Sequence, residues 1–172
     1  MSQSQDEPQD ESGAERGFEL QNVHWFWLSA LVIAADQVTK QLVANHFALY
    51  ESTPLLPWLN LTLVHNTGAA FSILRGATPW LFVGLSIAVV VGILVWMRRH
   101  PHDSRLLAAA LSLVAGGALG NAIDRATRGF VVDFVDFHIG AWHYPAFNIA
   151  DCGICVGAAL IVLDMLLPRR RA

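Results

Sequence analysis

The stretch Gly116–Asp151, GGALGNAIDRATRGFVVDFVDFHIGAWHYPAFNIAD, leaves one apolar run and leads directly into another. It carries Asp124, Asp133, Asp136 and Asp151, half of the carboxylates outside the acidic N-terminal region. The chain is 54% hydrophobic and only 15% charged, too apolar for an ordinary soluble domain. Ionised groups in such a setting are costly unless they serve a purpose. The fold therefore turns on what surrounds these four aspartates.

Working outward, the windows Trp25–Ala44, Pro79–Met97, Leu106–Ile123 and Ile149–Leu167 are each mostly apolar. At a rise of about 1.5 Å per residue, each is long enough to cross a hydrocarbon core of roughly 30 Å. As buried helices of a soluble protein, four such runs would leave too little chain to cover them. The expected fold class is a membrane protein, mainly α: a four-transmembrane-helix bundle with a small outer β segment. Arg98, Arg99 and Arg105 lie between the second and third spans, and Arg169, Arg170 and Arg171 follow the fourth. Positive charge favours the cytoplasmic side. Both termini then face the cytoplasm, and links 45–78 and 124–148 face outward, although these hold Arg75, Arg125 and Arg128.

Residues 1–23 contain six acids against Arg16 alone; the rest holds eight acids and ten bases. Nucleic-acid binding would call for a basic stripe, and there is none. The N-terminal region, polar and poor in aromatics, reads as a disordered acidic tail. It lacks the basic start of a cleaved signal peptide, so the first span is expected to be retained. Residues 24–168 form the membrane domain and 169–172 a basic tail.

Asp36 and Lys40, the only lysine, stand at i, i+4 and can pair on one helix face. They read as an ion pair with a snorkelling lysine, as part of a polar site, or as both. In link 45–78, Pro54, Pro57 and Trp58 suggest an interfacial segment. Leu59–Val64 reads as a strand, Asn66-Thr67-Gly68 as a turn, and Ala69–Leu74 as the returning strand. Gly116 and Gly120, and likewise Gly153 and Gly157, have the GxxxG spacing that lets helices approach closely, within one chain or between two.

Asn121, Asp124 and Arg125 follow at the outer end of the third span; neighbours in sequence, Asp124 and Arg125 each need another partner. In an extended VVDFVDF, Asp133 points with Val131 and Val135, and Asp136 points the other way. Spacing does not say which of the two faces a site. Asn148 is a good N-cap with Asp151 at the third helical position, so Asp151 is either a cap residue or something more.

Two carboxylates sharing one proton can activate water, one accepting its proton and the other polarising a carbonyl. Asp133 and Asp151 come from opposite flanks of the loop and can meet. Other chemistries fit less well. Nothing brings Lys40 to a serine such as Ser72, and the spacing of His138 and His143 matches no familiar zinc pattern. Cys152 and Cys155 form C-x-x-C and raise a membrane thiol oxidoreductase, but without a second pair to relay electrons. A small transporter would be expected to show internal repeats.

Five blocks in order, DQVTK at 36–40, NTGAAFS at 66–72, GGALGNAIDR at 116–125, VVDFVDF at 131–137 and FNIAD at 147–151, resemble the bacterial lipoprotein signal peptidases, the signal peptidase II family. The resemblance implies an aspartic protease of the bacterial inner membrane. It would cleave diacylglyceryl-modified prolipoproteins just before the lipidated cysteine, and it would be sensitive to globomycin. It places the catalytic dyad on Asp133 and Asp151 rather than Asp136. Asp36, Lys40, Asn66, Asn121, Asp124, Arg125 and Asn148 match positions that support the site or the fold. It also implies an outer β-cradle and an interfacial helix in link 45–78, contact with membrane lipids, and neither metal nor cofactor. The chain departs from the family pattern in its acidic N-terminal extension and in its C-x-x-C.

Overall fold

The structure, a computed structural model, describes residues 23–68, 78–100 and 104–167. After a short 3-10 turn at Val23–Trp25, four long helices alternate with a small sheet: α1 (Phe26–His46), α2 (Pro79–Arg99), α3 (Arg105–Arg128) and α4 (Ile149–Leu166). Strands β1 (Ser52–Leu56) and β2 (Leu59–Asn66) lie between α1 and α2, and β3 (Val131–Ile139) and β4 (Trp142–His143) between α3 and α4. The sheet is antiparallel in the order β1-β2-β3-β4.

Helix α3 is the hub and packs on α1, α2 and α4. Its apolar window is 61% buried, against 22% for α2 and for α4. Small residues make this possible. A Cβ on Gly117 would sit 2.2 Å from the Ala150 carbonyl, and one on Gly120 2.8 Å from Asp36 Oδ2, so any side chain there would force α4 or α1 away. Across the interface Gly157 lies against Ala110 and Val114 of α3, whereas Gly116 faces Ser29 and Val32 of α1. The glycine spacings thus mark α3–α4 packing as expected, with Gly116 turned to a third helix.

Three helices, α2, α3 and α4, are long and apolar enough to cross a membrane. Helix α1 is as long but more polar, and its polarity is turned inward. Ser29, Asp36 and Lys40 are buried, while Leu31, Val38 and Leu42 are exposed. Lys40 does not snorkel: its side chain is 0% exposed, held between Asp36 of its own helix and Asp124 of α3. Helix α3 also runs past the expected end at Ile123, with Asp124 and Arg125 inside it, and stops at Gly129 (φ 81°), where the left-handed conformation suits glycine.

Two apolar clusters hold the parts together. Ile93, Met97, Ala108 and Ala115 join α2 to α3. Val43, Leu63, Val132 and Phe134 seat the sheet on the end of α1. The strand expected at Leu59–Val64 is present as β2, but its hairpin partner is β1, which precedes it; the return expected over 69–74 lies outside the described residues, as do Ser72 and Arg75. Pro54 therefore belongs to an edge strand, where its missing N–H costs no ladder bond, and Pro57 and Trp58 form the hairpin tip. Among the described residues of 45–78, no interfacial helix follows the end of α1.

Candidate active site

The β2–β3 register pairs Val64 with Asp133 and Asn66 with Val131. Asn66, two residues beyond Val64 on the same face, is therefore a diagonal neighbour of Asp133. Its Nδ2 donates to Asp133 Oδ2 at 3.0 Å, and its own oxygen accepts from the Gly68 amide at 3.0 Å, which fixes the direction of the carboxamide. Asn148 Nδ2 donates to the other oxygen of Asp133 at 2.7 Å. Asp136, on the opposite face of β3, has separate company: Asn60 Nδ2 at 3.0 Å and His143 Nδ1 at 2.7 Å.

Asn148 also caps α4. Its Oδ1 accepts from the Asp151 amide at 2.9 Å, and its own amide donates to Asp151 Oδ2 at 3.2 Å, a reciprocal capping box. Asn121 Nδ2 donates to Asp151 Oδ1 at 2.8 Å, and Asn121 Oδ1 accepts from Asn148 Nδ2 at 3.1 Å. Asp133, Asn148, Asn121 and Asp151 thus form one connected network. Asp151 is at once a cap residue and a member of it.

Beneath this lies a buried ionic knot. Lys40 Nζ reaches Asp36 Oδ2 at 2.8 Å, Asp124 Oδ2 at 3.1 Å and Asn121 Oδ1 at 2.9 Å. Arg128 adds 2.9 Å to Asp124 Oδ1, so two carboxylates meet two cations. The knot also holds backbone. Asp36 Oδ1 accepts from the Ala150 amide at 2.9 Å, and Asp124 Oδ2 from the Val132 amide at 3.0 Å. Each buried carboxylate therefore grips the residue immediately before one of the two candidate aspartates. Both positions are set by one lysine.

Among the described residues, the hydrogen-bond donors to Asp133 and Asp151 are the neutral amides of Asn66, Asn121 and Asn148. Asp133 is only 2% exposed. Burial first, and then the nearby Asp151, push its carboxyl up to about 7, against the pull of Asn66, Asn148 and Lys40. A carboxyl that holds its proton near neutrality beside a second carboxyl is the arrangement that splits titration in a proton-sharing pair.

Both aspartates line a cavity of about 880 Å³ bounded by α2, α3, α4 and the segment Tyr144–Phe147. Phe82, Leu85 and Val89 make its apolar wall on α2, facing Val114 and Ile154. Arg125 also lines it, donating to the Gly68 carbonyl at 2.8 Å and lying 4.8 Å above the Phe82 ring. Asp36, Lys40, Asn66, Asn121, Asp124, Arg125 and Asn148 all gather around the two aspartates. Gln37, which donates to Asp36, Asp124 and the Gly120 carbonyl, and Arg128 join them without having been singled out from sequence. The i, i+4 spacing of Asp124 and Arg128 was the available signal for the second. Cys152 and Cys155 also line the cavity as free thiols.

A family model described as signal peptidase (SPase) II matches residues 28–167. The chain belongs to the signal peptidase II family. A lipoprotein signal peptidase of Yersinia enterocolitica is 50% identical over 145 residues, covering 83% of this chain and 86% of that relative. One from Shewanella halifaxensis is 52% identical over 145 residues, covering 83% and 85%. Among solved structures, a bacterial membrane enzyme determined by the in meso method at 2.3 Å aligns with a TM-score of 0.79 at 31% identity, covering 87% of this chain and 94% of that one. A second, at 1.9 Å, gives 0.75 at 34% identity, covering 84% and 93%. Signal peptidase II is an aspartic peptidase family, which sets aside the thiol oxidoreductase and the transporter.

Proposed function

We propose that this chain removes signal peptides from diacylglyceryl-modified prolipoproteins, cutting before the lipidated cysteine with Asp133 and Asp151 as the dyad. The carrying observation is the amide network that ties the two carboxyls to one another at a cavity wall. With one proton on the pair, the ionised carboxyl takes a proton from water while the protonated one donates to the scissile carbonyl oxygen. The resulting tetrahedral intermediate collapses as the amide nitrogen is protonated and leaves. Asn66, Asn121 and Asn148 aim the carboxyls, and the Lys40 knot holds the backbone that carries them. Arg125 shapes the cavity edge.

The same reading makes α1 the fourth crossing. Its 21 residues span about 31 Å at 1.5 Å each, with polar side chains inward and apolar ones outward. Arg98 and Arg99 end α2 and Arg105 begins α3, a cluster of positive charge at their short connection that supports an inner-membrane protein with both termini cytoplasmic. The acidic residues 1–23 and basic residues 169–172 then share that side. The dyad sits at the outer face, where water reaches it while the substrate's acyl chains stay in lipid.

The test is cleavage of a diacylglyceryl-modified prolipoprotein by the purified chain, with globomycin as the control. Asp133→Asn and Asp151→Asn are each expected to lower kcat at least about 10³-fold in a folded protein, as loss of an essential acid or base does. Full cleavage by either variant overturns the dyad.

A further inference from the structure

The segment Tyr144–Phe147 forms the outer wall of the cavity, and its two ends are held differently. At Phe147 the carbonyl accepts from the amides of Phe134 and Val135 at 3.0 and 2.9 Å, and the amide donates to the Val135 carbonyl at 3.1 Å. The cap residue Asn148 follows at once, so this end is tied to the site itself. At the other end, the Tyr144 amide donates to the Phe137 carbonyl at 2.8 Å, and the chain arrives from β4, which pairs only two residues with β3. So short a ladder is weak by itself.

What reinforces it is a side-chain contact. His143 Nδ1 lies 2.7 and 3.0 Å from the two oxygens of Asp136, and because a carboxylate only accepts, Nδ1 carries the proton. Asp136 is 9% exposed and is steadied by Asn60 of β2. The His143 ring stacks on His138 at 5.0 Å. Beyond the contact, Tyr144 packs edge-on against Phe147 at 6.1 Å, so a shift at β4 passes into the wall.

We propose that Asp136 and His143 form a latch that positions the Tyr144–Phe147 wall and so sets how tightly the cavity takes the peptide beside the scissile bond. They are positioning residues. Asp136 lies on the face of β3 opposite Asp133, and neither it nor His143 lines the cavity. The proposal rests on the dyad reading given above. Because the latch touches the wall and not the dyad, its loss should act on KM and spare kcat.

The test is steady-state cleavage of a diacylglyceryl-modified prolipoprotein by the full chain in detergent, with Asp136→Ala, His143→Ala, the double variant and Asp136→Asn. Either alanine variant should raise KM roughly three- to tenfold, the scale of one hydrogen bond, with kcat within about twofold of wild type. Both substitutions remove one contact, so the double variant should be no worse than the more affected single. Asp136→Asn keeps an oxygen for Nδ1 and should recover most of the affinity. Additive losses, or a lowered kcat at unchanged KM, overturn the latch. Should Asp136→Ala fail to fold, half-exposed His143 carries the same test, and an unchanged KM in His143→Ala refutes the proposal. Asp133→Asn run alongside keeps the readings apart. Cleavage by that variant refutes the dyad, whereas unchanged KM in the latch variants with Asp133→Asn inactive refutes only the latch.

Discussion

Asp133 holds its proton up to about pH 7 because it is buried and because Asp151 lies near it. Between the ordinary value of 3.8 and about 7, the folded chain therefore binds a proton that the unfolded chain has lost. Stability must fall as pH rises through that window and level off above it. At about 1.4 kcal/mol per unit, the cost reaches a few kcal/mol by neutral pH. Asp133→Asn removes it, so this variant should melt higher than wild type at pH 8, with the gap closing toward pH 4. Equal melting temperatures at both pH values would refute the assigned burial cost. Activity should show the same ionisation: kcat/KM should decline on an alkaline limb near pH 7 as the pair loses its shared proton, measured as a pH–rate profile on lipidated substrate. An alkaline limb two or more units higher would place the proton elsewhere. The different surroundings of Asp133 and Asp136 were legible in VVDFVDF because strand side chains alternate. The contact of Asn66 with Asp133 was not, since it depends on a β2–β3 register that shifts between Leu61 and Val64.

Among the elements, α1 and α3 carry the structural weight, and Lys40 is where they lock. Removing its charge leaves Asp36 and Asp124 facing each other without it, and breaking a buried pair costs about 3–5 kcal/mol. Lys40→Met should therefore lower the thermal midpoint sharply and also disorder the approach of Ala150 and Val132, with activity lost in parallel; a stable, active variant would show that the knot is dispensable. Gly117→Ala offers a second test. Its Cβ would collide with the Ala150 carbonyl, and overpacking costs about 1–3 kcal/mol, so a loss of stability with a drop in cleavage is expected. Much of this was readable beforehand: the i, i+4 pair, the capping box at Asn148 and the close-packing glycines all follow from local spacing. The burial of Lys40 was not, because one helix's periodicity does not reveal which partner covers it. For the same reason the polar run from Asn121 to Arg125 looked like a helix end, although the helix continues to Arg128.

For the whole molecule, large apolar side chains cover much of the outside while Asp36, Lys40, Asp124 and Asp133 are buried among apolar clusters, the reverse of where a soluble protein puts its charges. That inversion explains why composition revealed the class, and why α1, whose polar side chains face the bundle, is the least obvious crossing. It leaves direction to the arginines, and direction can be measured. In a background with Cys152 and Cys155 replaced by alanine, Ile139→Cys at the β3–β4 tip and Arg99→Cys at the end of α2 place single thiols at opposite ends of the bundle. A membrane-impermeant maleimide added to intact spheroplasts should label Ile139→Cys and spare Arg99→Cys until the membrane is permeabilised. The reverse pattern would put the dyad on the cytoplasmic side, where a translocated prolipoprotein no longer presents its cleavage site. Labelling of both in intact cells would mean that α3, the helix between the two positions, does not cross. The expected pattern has a chemical consequence as well. On that pattern Asp133 and Asp151 would lie within reach of water on the side where the lipidated cysteine emerges, so hydrolysis would proceed without drawing water to the bilayer centre.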